Sequence, residues 1–436
     1  MNKITSKIRD FLNSNYYIVT VFLFTVLAWY LRIQIVAMSI YALLLFLIII
    51  IDAKRINIIT LIMATVINYR VATMEDNLPV MVTFALILAP VIIYDIVRKK
   101  PKFNNKILIS MILIFIVNIL SLVNTTKDTI IFGIVGVGQS ALYMIIFLYF
   151  FNNKNKDDYR KIAINAMAMG IAIFLELVIL LLTFEGEVIN KSTVTLGWGL
   201  SNFIAITVTV LIPITFYLYI ENQKRKFVLV AVILEIITIF LTFSKGAFLA
   251  LGIILIPFII VAFYFAKSKK TLLIDGAICI AIFLIGIFLL SGIDAVWKGF
   301  LSYFDKMSDR GWFKDEARLK IYKIGIDQFL RHPILGSGAY TGQYYLKTNI
   351  NYHNYFIQTI ATLGSLGLIT FLYYMFCTIK QCLVKNYFNI CILFIIIAMS
   401  IHGLVDTTWY NPLIMVIISF CLPNLFEKQR TEIDLE

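Results

Sequence analysis

Apolar runs follow one another along almost the whole chain, parted by short polar stretches. A helical run of about 17–25 such residues crosses the ~30 Å of hydrocarbon in a bilayer. Fourteen runs are read, starting near Tyr16, Ile33, Ile56, Leu78, Lys106, Thr129, Ile162, Leu200, Lys226, Gly246, Thr271, His353, Asn386 and Pro412. The pattern predicts an all-α polytopic membrane protein with about 14 transmembrane helices (12–14). Only Arg32 separates the first two runs, which form either a tight hairpin or one long helix plus an interfacial piece. The first run ends in AWYLR rather than in small residues, so it reads as a retained span, not a cleaved signal.

Composition agrees. The 436 residues are 61% hydrophobic and 14% charged, against roughly 45–50% and 25% in soluble domains. With the N-terminus placed in the cytoplasm, alternate loops (52–55, 98–106, 153–161, 221–226, 266–270, 380–385 and the EKQR tail) join the N-terminal segment in holding 24 Lys and Arg. The opposite short loops hold five: Arg32, Arg70, Lys127, Lys191 and Lys245. That asymmetry is the positive-inside pattern, and it predicts both termini in the cytoplasm and a multi-pass protein of the cytoplasmic membrane. It also accounts for the net charge of +13 without nucleic acid as a partner. No zinc-like Cys/His spacing or phosphate-binding loop occurs, and the five cysteines lie in or beside apolar segments, so no disulfide framework is implied.

The other nine cations fall in one large extracytoplasmic loop, residues 291–352. Loops of that length escape the charge rule and usually carry structure or function. No repeat or linker divides the chain, which reads as a single membrane-embedded domain over 1–436. Within the loop, Lys314–His332 has helical periodicity. Leu319, Tyr322, Ile326, Phe329 and Leu330 fill an arc of about 100°, opposite Lys320, Lys323, Asp327 and Arg331. Such a helix lies flat on the outer membrane surface or packs across the span mouths. Pro333 and the glycines of GSG (336–338) then end it.

Arg318 sits at the edge of the apolar arc and either snorkels or points into a site. His353 follows Asn351, read as an N-cap, and opens a long helix to Cys377. There it is either a neutral general base at the membrane–water boundary or an interfacial residue satisfying a helix end. His332, before Pro333, reads as structural. Ala361, Gly364, Ser365 and Gly367 keep one face of the long helix small, for close packing. Lys245 in LTFSKGAFLAL is a snorkelling anchor or an exposed cation. Glu176 and Glu235, near mid-span, are proton relays, polar-substrate ligands or protonated hydrogen-bonders.

These segments resemble a known family. LTFSKGAFLAL resembles the "T-x-S-R-G-A" turn of the O-antigen ligase and polymerase superfamily (Wzy-type). ARLKIYKIGIDQFLRHPILGSGAY resembles its "R-x-x-x-W … hP-x-x-G-x-G" segment, and YHNYFIQTIATLGSLGL its "H-N-x-y-l … l-x-E-x-G-x-x-G" helix start. LGWGLSNFIAI (196–206) and HGLVDTTWYNP (402–412) resemble its "N-x-x-A" and "H-x-x-x-D" elements, so the likeness spans about 196–412. Three positions depart from the pattern: Lys245 stands for arginine, Tyr322 for tryptophan and Thr362 for an acidic residue.

The resemblance implies a GT-C-like fold and a polyprenyl-diphosphate-linked oligosaccharide as donor and acceptor. It implies inverting transfer on the outer face. No carboxylate cluster suited to a metal lies in the outer loops, so metal-independent chemistry with no cofactor is expected. His353 would deprotonate the acceptor hydroxyl, while Arg318 and Lys245 would hold the diphosphate. Arg331, Tyr340 and Asp406 are weaker candidates. Membrane lipid surrounds the protein, and a chain-length regulator or flippase would share the pathway. The leading expectation is a surface-polysaccharide polymerase. The abundance of Ile, Lys and Asn suggests an AT-rich, Gram-positive source, where a lipopolysaccharide ligase has no acceptor. The alternatives are a ligase-type transferase and, in another class, a lipid-linked oligosaccharide flippase. The lack of repeats and broken helices in the sequence speaks against that last one.

Overall fold

The computed structural model describes residues 3–68, 89–90, 92–98, 101, 103–155, 157–310, 316–347 and 351–426, with backbone alone at 304–310 and 316–317. Among these residues the regular elements are helices. In chain order they include α1 (Lys3–Leu12), α2 (Asn15–Leu31), α3 (Gln34–Ile50), α4 (Ile58–Ile67), α5 (Lys106–Ser121), α6 (Ile130–Asn153), α7 (Asp158–Leu182), α8 (Ser201–Glu221), α9 (Phe227–Leu241), α10 (Lys245–Phe265) and α11 (Lys269–Ser291). After them come α12 (Asp294–Arg310), α13 (Glu316–Arg331), α14 (Gly342–Leu346), α15 (Tyr355–Cys382), α16 (Tyr387–Gly403) and α17 (Pro412–Cys421). Each expected span has a helix starting within a few residues of the expected position, except the run near Leu78. That run, Lys314 and the EKQR tail lie outside the described residues. Among the described residues seven helices are long and apolar enough to cross a membrane, and the pair α1–α2, bent by 68°, makes an eighth if it is one span. Helices α3, α9, α16 and α17 and the segment containing α4 are apolar but shorter.

The chain falls into two compact units, each discontinuous in sequence. The first comprises residues 1–100 and 153–314. Its opening pair is a hairpin: Arg32 turns through the left-handed region at φ 58°, and the Thr25 and Tyr41 hydroxyls, almost equidistant from that turn, lie 2.7 Å apart. Loops expected on one side of the membrane meet at one end. Asn13 Oδ1 accepts from Lys54 N and Asn57 Nδ2, and Lys161 Nζ reaches Asn13 O. Arg160 pairs with Glu221, and Gln223 exchanges two hydrogen bonds with Ser268. Loops expected on the other side are likewise linked: Trp29 Nε1 donates to Leu196 O, Ile189 N to Ala295 O, and Phe243 packs on Phe300. Glu176 and Glu235 are fully buried. Each accepts one hydrogen bond, from Trp198 Nε1 (2.9 Å) and Thr215 Oγ1 (2.8 Å).

The second unit comprises 101–152 and 315–436. Its axis is α15, which packs along α5 and under α13. Contrary to the sequence reading, α15 is broken: Gly364 has φ 67° and ψ −163°. A break inside an apolar helix frees backbone groups, and hydrocarbon cannot satisfy them. Segment 333–338 does so. Ser337 N and Gly338 N donate to Ala361 O and Thr362 O, both at 3.0 Å. In return Ser365 N and Leu366 N donate to Pro333 O (2.8 Å) and Ile334 O (3.2 Å). The two backbones touch, so glycine is required on both sides. A Cβ on Gly336 would lie 2.2 Å from Thr362 C, and one on Gly364 would lie 2.4 Å from Ile334 C. The small residues of α15 are therefore more than a packing face.

Gly364→Ala and Gly336→Ala are each expected to destabilise the protein by more than the ~1–3 kcal/mol that the backbone conformation alone costs. Gly252→Ala, with no atom within 4 Å of the added Cβ, is expected to leave the thermal midpoint in detergent nearly unchanged. Similar midpoints for all three variants would contradict the exchange.

Candidate active site

Helix α13 places the expected arginine. Its packed side is not the apolar arc. Gly325 and Gln328 are buried, and Gly325 lies against Ile357 and Tyr352. Leu319, Ile326 and Leu330 stay exposed, at 65%, 42% and 68%. The packed side is thus turned from the centre of the apolar arc toward Gly325 and Gln328, while Lys320, Lys323, Asp327 and Arg331 stay exposed as the sequence predicts. Leucines left outward suit a helix lying flat on a membrane surface. Arg318 is two turns before Gly325 and lies on the packed side of α13. Tyr322, one turn after Arg318, donates its hydroxyl to His353 O at 3.2 Å. The residue standing in for tryptophan thus ties α13 to the expected base.

His353 is not in the first turn of α15. The helix begins at Tyr355, and its cap is Asn354, whose Oδ1 accepts from Phe356 N and Ile357 N. Asn351 does not cap: its side-chain oxygen is buried without a hydrogen-bond partner. His353 precedes the cap in the left-handed region, at φ 49°. Its side chain is 27% exposed, and Nδ1 lies 3.4 Å from Asp406 Oδ1.

Asp406 sits in the turn after α16 and is 5% exposed. Burial pushes its carboxyl up, but several neighbours outweigh that: the adjoining His353 imidazole, the electrostatic pull of His402, and the Thr407 N–H. Together they hold it well below the ordinary carboxylate range. His402, in the last turn of α16, is buried with Nδ1 2.6 Å from Thr408 Oγ1. The structure therefore raises Asp406, a weak candidate from sequence, to direct contact with His353. It also adds His402, which the sequence showed only as half of an H-x-x-x-D pattern.

The other candidates have different settings. Tyr340 turns through φ 58°. Its hydroxyl donates to Tyr410 O at 2.8 Å and contacts Gln139, and burial pushes it upward, so it is a neutral strut. It borders a cavity of about 90 Å³, lined in part by Tyr143, Phe371, Tyr374, Trp409 and Tyr410. Arg331 is exposed in the last turn of α13. Thirteen residues after Arg318, it is roughly 20 Å along the helix and on another face. Lys245 belongs to the first unit. It opens α10 behind the Ser244 cap, with Nζ 5.9 Å from the Tyr303 ring centre.

Residues 229–372, about a third of the chain, match the family model described as O-antigen ligase. The resemblance to the O-antigen ligase and polymerase superfamily is thereby shown. The matched span takes in Lys245, Arg318, Arg331, Tyr340 and His353, and ends before His402 and Asp406. That family comprises glycosyltransferase-like enzymes acting on lipid-linked oligosaccharides. No curated protein matches the chain.

Because the folded Asp406 carboxyl is depressed, its ionised form contributes stability that is fully present above its unfolded value of about 3.9. That stability is lost as pH falls through the folded value. The midpoint difference between the wild type and Asp406→Asn is expected to be largest near neutrality and to shrink below about pH 4. A difference that grows with acid would contradict the assignment.

Proposed function

We propose that the protein is a surface-polysaccharide polymerase that joins polyprenyl-diphosphate-linked repeat units, with His353 as general base. The contact between His353 and Asp406, at 3.4 Å, carries this reading. A buried anion beside Nδ1 favours the tautomer with the proton on Nδ1, which leaves Nε2 free to accept one. The acceptor sugar hydroxyl gives its proton to Nε2 as its oxygen attacks the donor's anomeric carbon. The bond from that carbon to the diphosphate breaks on the opposite face, with inversion, and its electron pair leaves on the diphosphate oxygen. A fixed cation aimed at that oxygen stabilises the developing charge. Arg318, joined to His353 through its neighbour Tyr322, takes this role. Lys245 is assigned to the diphosphate by the resemblance alone, and as a lysine it acts as a point charge rather than a bidentate clamp.

A ligase-type transferase, the description the family model carries, shares this donor chemistry and differs in the acceptor. The flippase reading gains less from the broken helix than a break alone suggests. In transporters the freed backbone of a broken helix serves the substrate, whereas here segment 333–338 takes up four of those groups.

In liposomes with the lipid-linked repeat unit as the sole glycan, a ladder of products is expected. Product that forms only after a second acceptor is added would assign a ligase instead. Asp406→Asn is expected to lower kcat on the order of 10²–10⁴-fold, the range of general-base contributions. Unchanged turnover in that variant would remove the pair from the mechanism.

A further inference from the structure

We infer that Asn354 is a positioning residue for the His353–Asp406 pair, because one carboxamide ties the start of α15 to the turn that carries Asp406. The inference rests on the functional reading above. Asn354 Oδ1 accepts from Phe356 N (2.9 Å) and Ile357 N (3.1 Å). Its Nδ2 donates to Leu404 O at 3.0 Å. This orientation is dictated by the partners: turning the amide over would set N–H against N–H and oxygen against oxygen. Leu404 caps the end of α16, two residues before Asp406, while His353 is the residue just before Asn354. The side chain therefore joins the backbones next to both members of the pair.

Two features make this tie matter. The left-handed backbone of His353 occupies a narrow allowed region, so the direction of its ring depends on what holds the adjoining peptides. Tyr322 holds its carbonyl, and Asn354 holds the other flank. In addition, Nδ1 and Oδ1 stand at 3.4 Å, just beyond the 2.7–3.2 Å of a formed N–H···O bond. A small drift of the turn would part them, and misplacement by about 1 Å can cost ~10²-fold in rate.

Capping and tying can be separated by substitution. Serine and aspartate cap a helix about as well as asparagine, but neither offers the amide donor. Aspartate would also set a carboxylate against the Leu404 carbonyl.

The full chain, reconstituted in liposomes with the polyprenyl-diphosphate-linked repeat unit, would be assayed as wild type, Asn354→Ser, Asn354→Asp, Asp406→Asn and the Asn354→Ser/Asp406→Asn double variant. The two Asn354 variants are expected to keep near-wild-type thermal midpoints and KM within about twofold, while kcat falls about 10–100-fold. In the Asp406→Asn background, Asn354→Ser is expected to cost less than about threefold, because the pair it aligns is already broken. Wild-type kcat in Asn354→Ser would overturn the role. So would an undiminished loss in the double variant, or a kcat that falls only in step with the midpoint. A wild type that consumes no donor would instead sink the functional reading, and this inference with it.

Discussion

The second unit depends on four backbone hydrogen bonds exchanged between segment 333–338 and the break at Gly364 in α15. An open break in hydrocarbon costs several kcal/mol for each unsatisfied group, so the break and the segment that fills it must form together. Gly336 and Gly364 are the two points where only a missing side chain allows the approach. With that exchange in place, α13 ends at a fixed point and crosses the start of α15. Arg318, Tyr322 and His353 then become neighbours in one small region of the fold.

On that frame the chemistry needs few parts. Burial alone would push the Asp406 carboxyl up, but His353, His402 and a backbone N–H hold it well below the ordinary carboxylate range. The anion defines one ring nitrogen of His353, and the turn bearing the anion is bound to the start of α15 through Asn354. The arrangement suits a base whose partner is held in place before the acceptor arrives.

The scaffold was largely legible in the sequence, because apolar run length and loop charge act locally. The starts of the described helices, and the grouping of loops at each end of the first unit, agree with those two signals. The hairpin at Arg32 needed one more fact, a left-handed residue. The candidates Arg318 and His353 were also legible, through helical bookkeeping and the family resemblance. Three features were not. Asn351 and Asn354 lie in one polar run, and only the left-handed turn at His353 selects the second as the cap. Gly364 looked like a packing residue because the segment that fills its break lies some thirty residues away. The packed side of α13 is the third, because its buried Gly325 and Gln328 lie beside the apolar arc and leave no mark in a hydrophobic pattern.

The central claim is that His353 takes the proton in glycosyl transfer. Its most direct test is the single-turnover rate of His353→Ala against the wild type, in liposomes loaded with lipid-diphosphate-linked repeat unit. The account predicts a variant that folds, still binds donor and forms the new glycosidic bond on the order of 10²–10⁴-fold more slowly. A folded variant that transfers at the wild-type rate would contradict it.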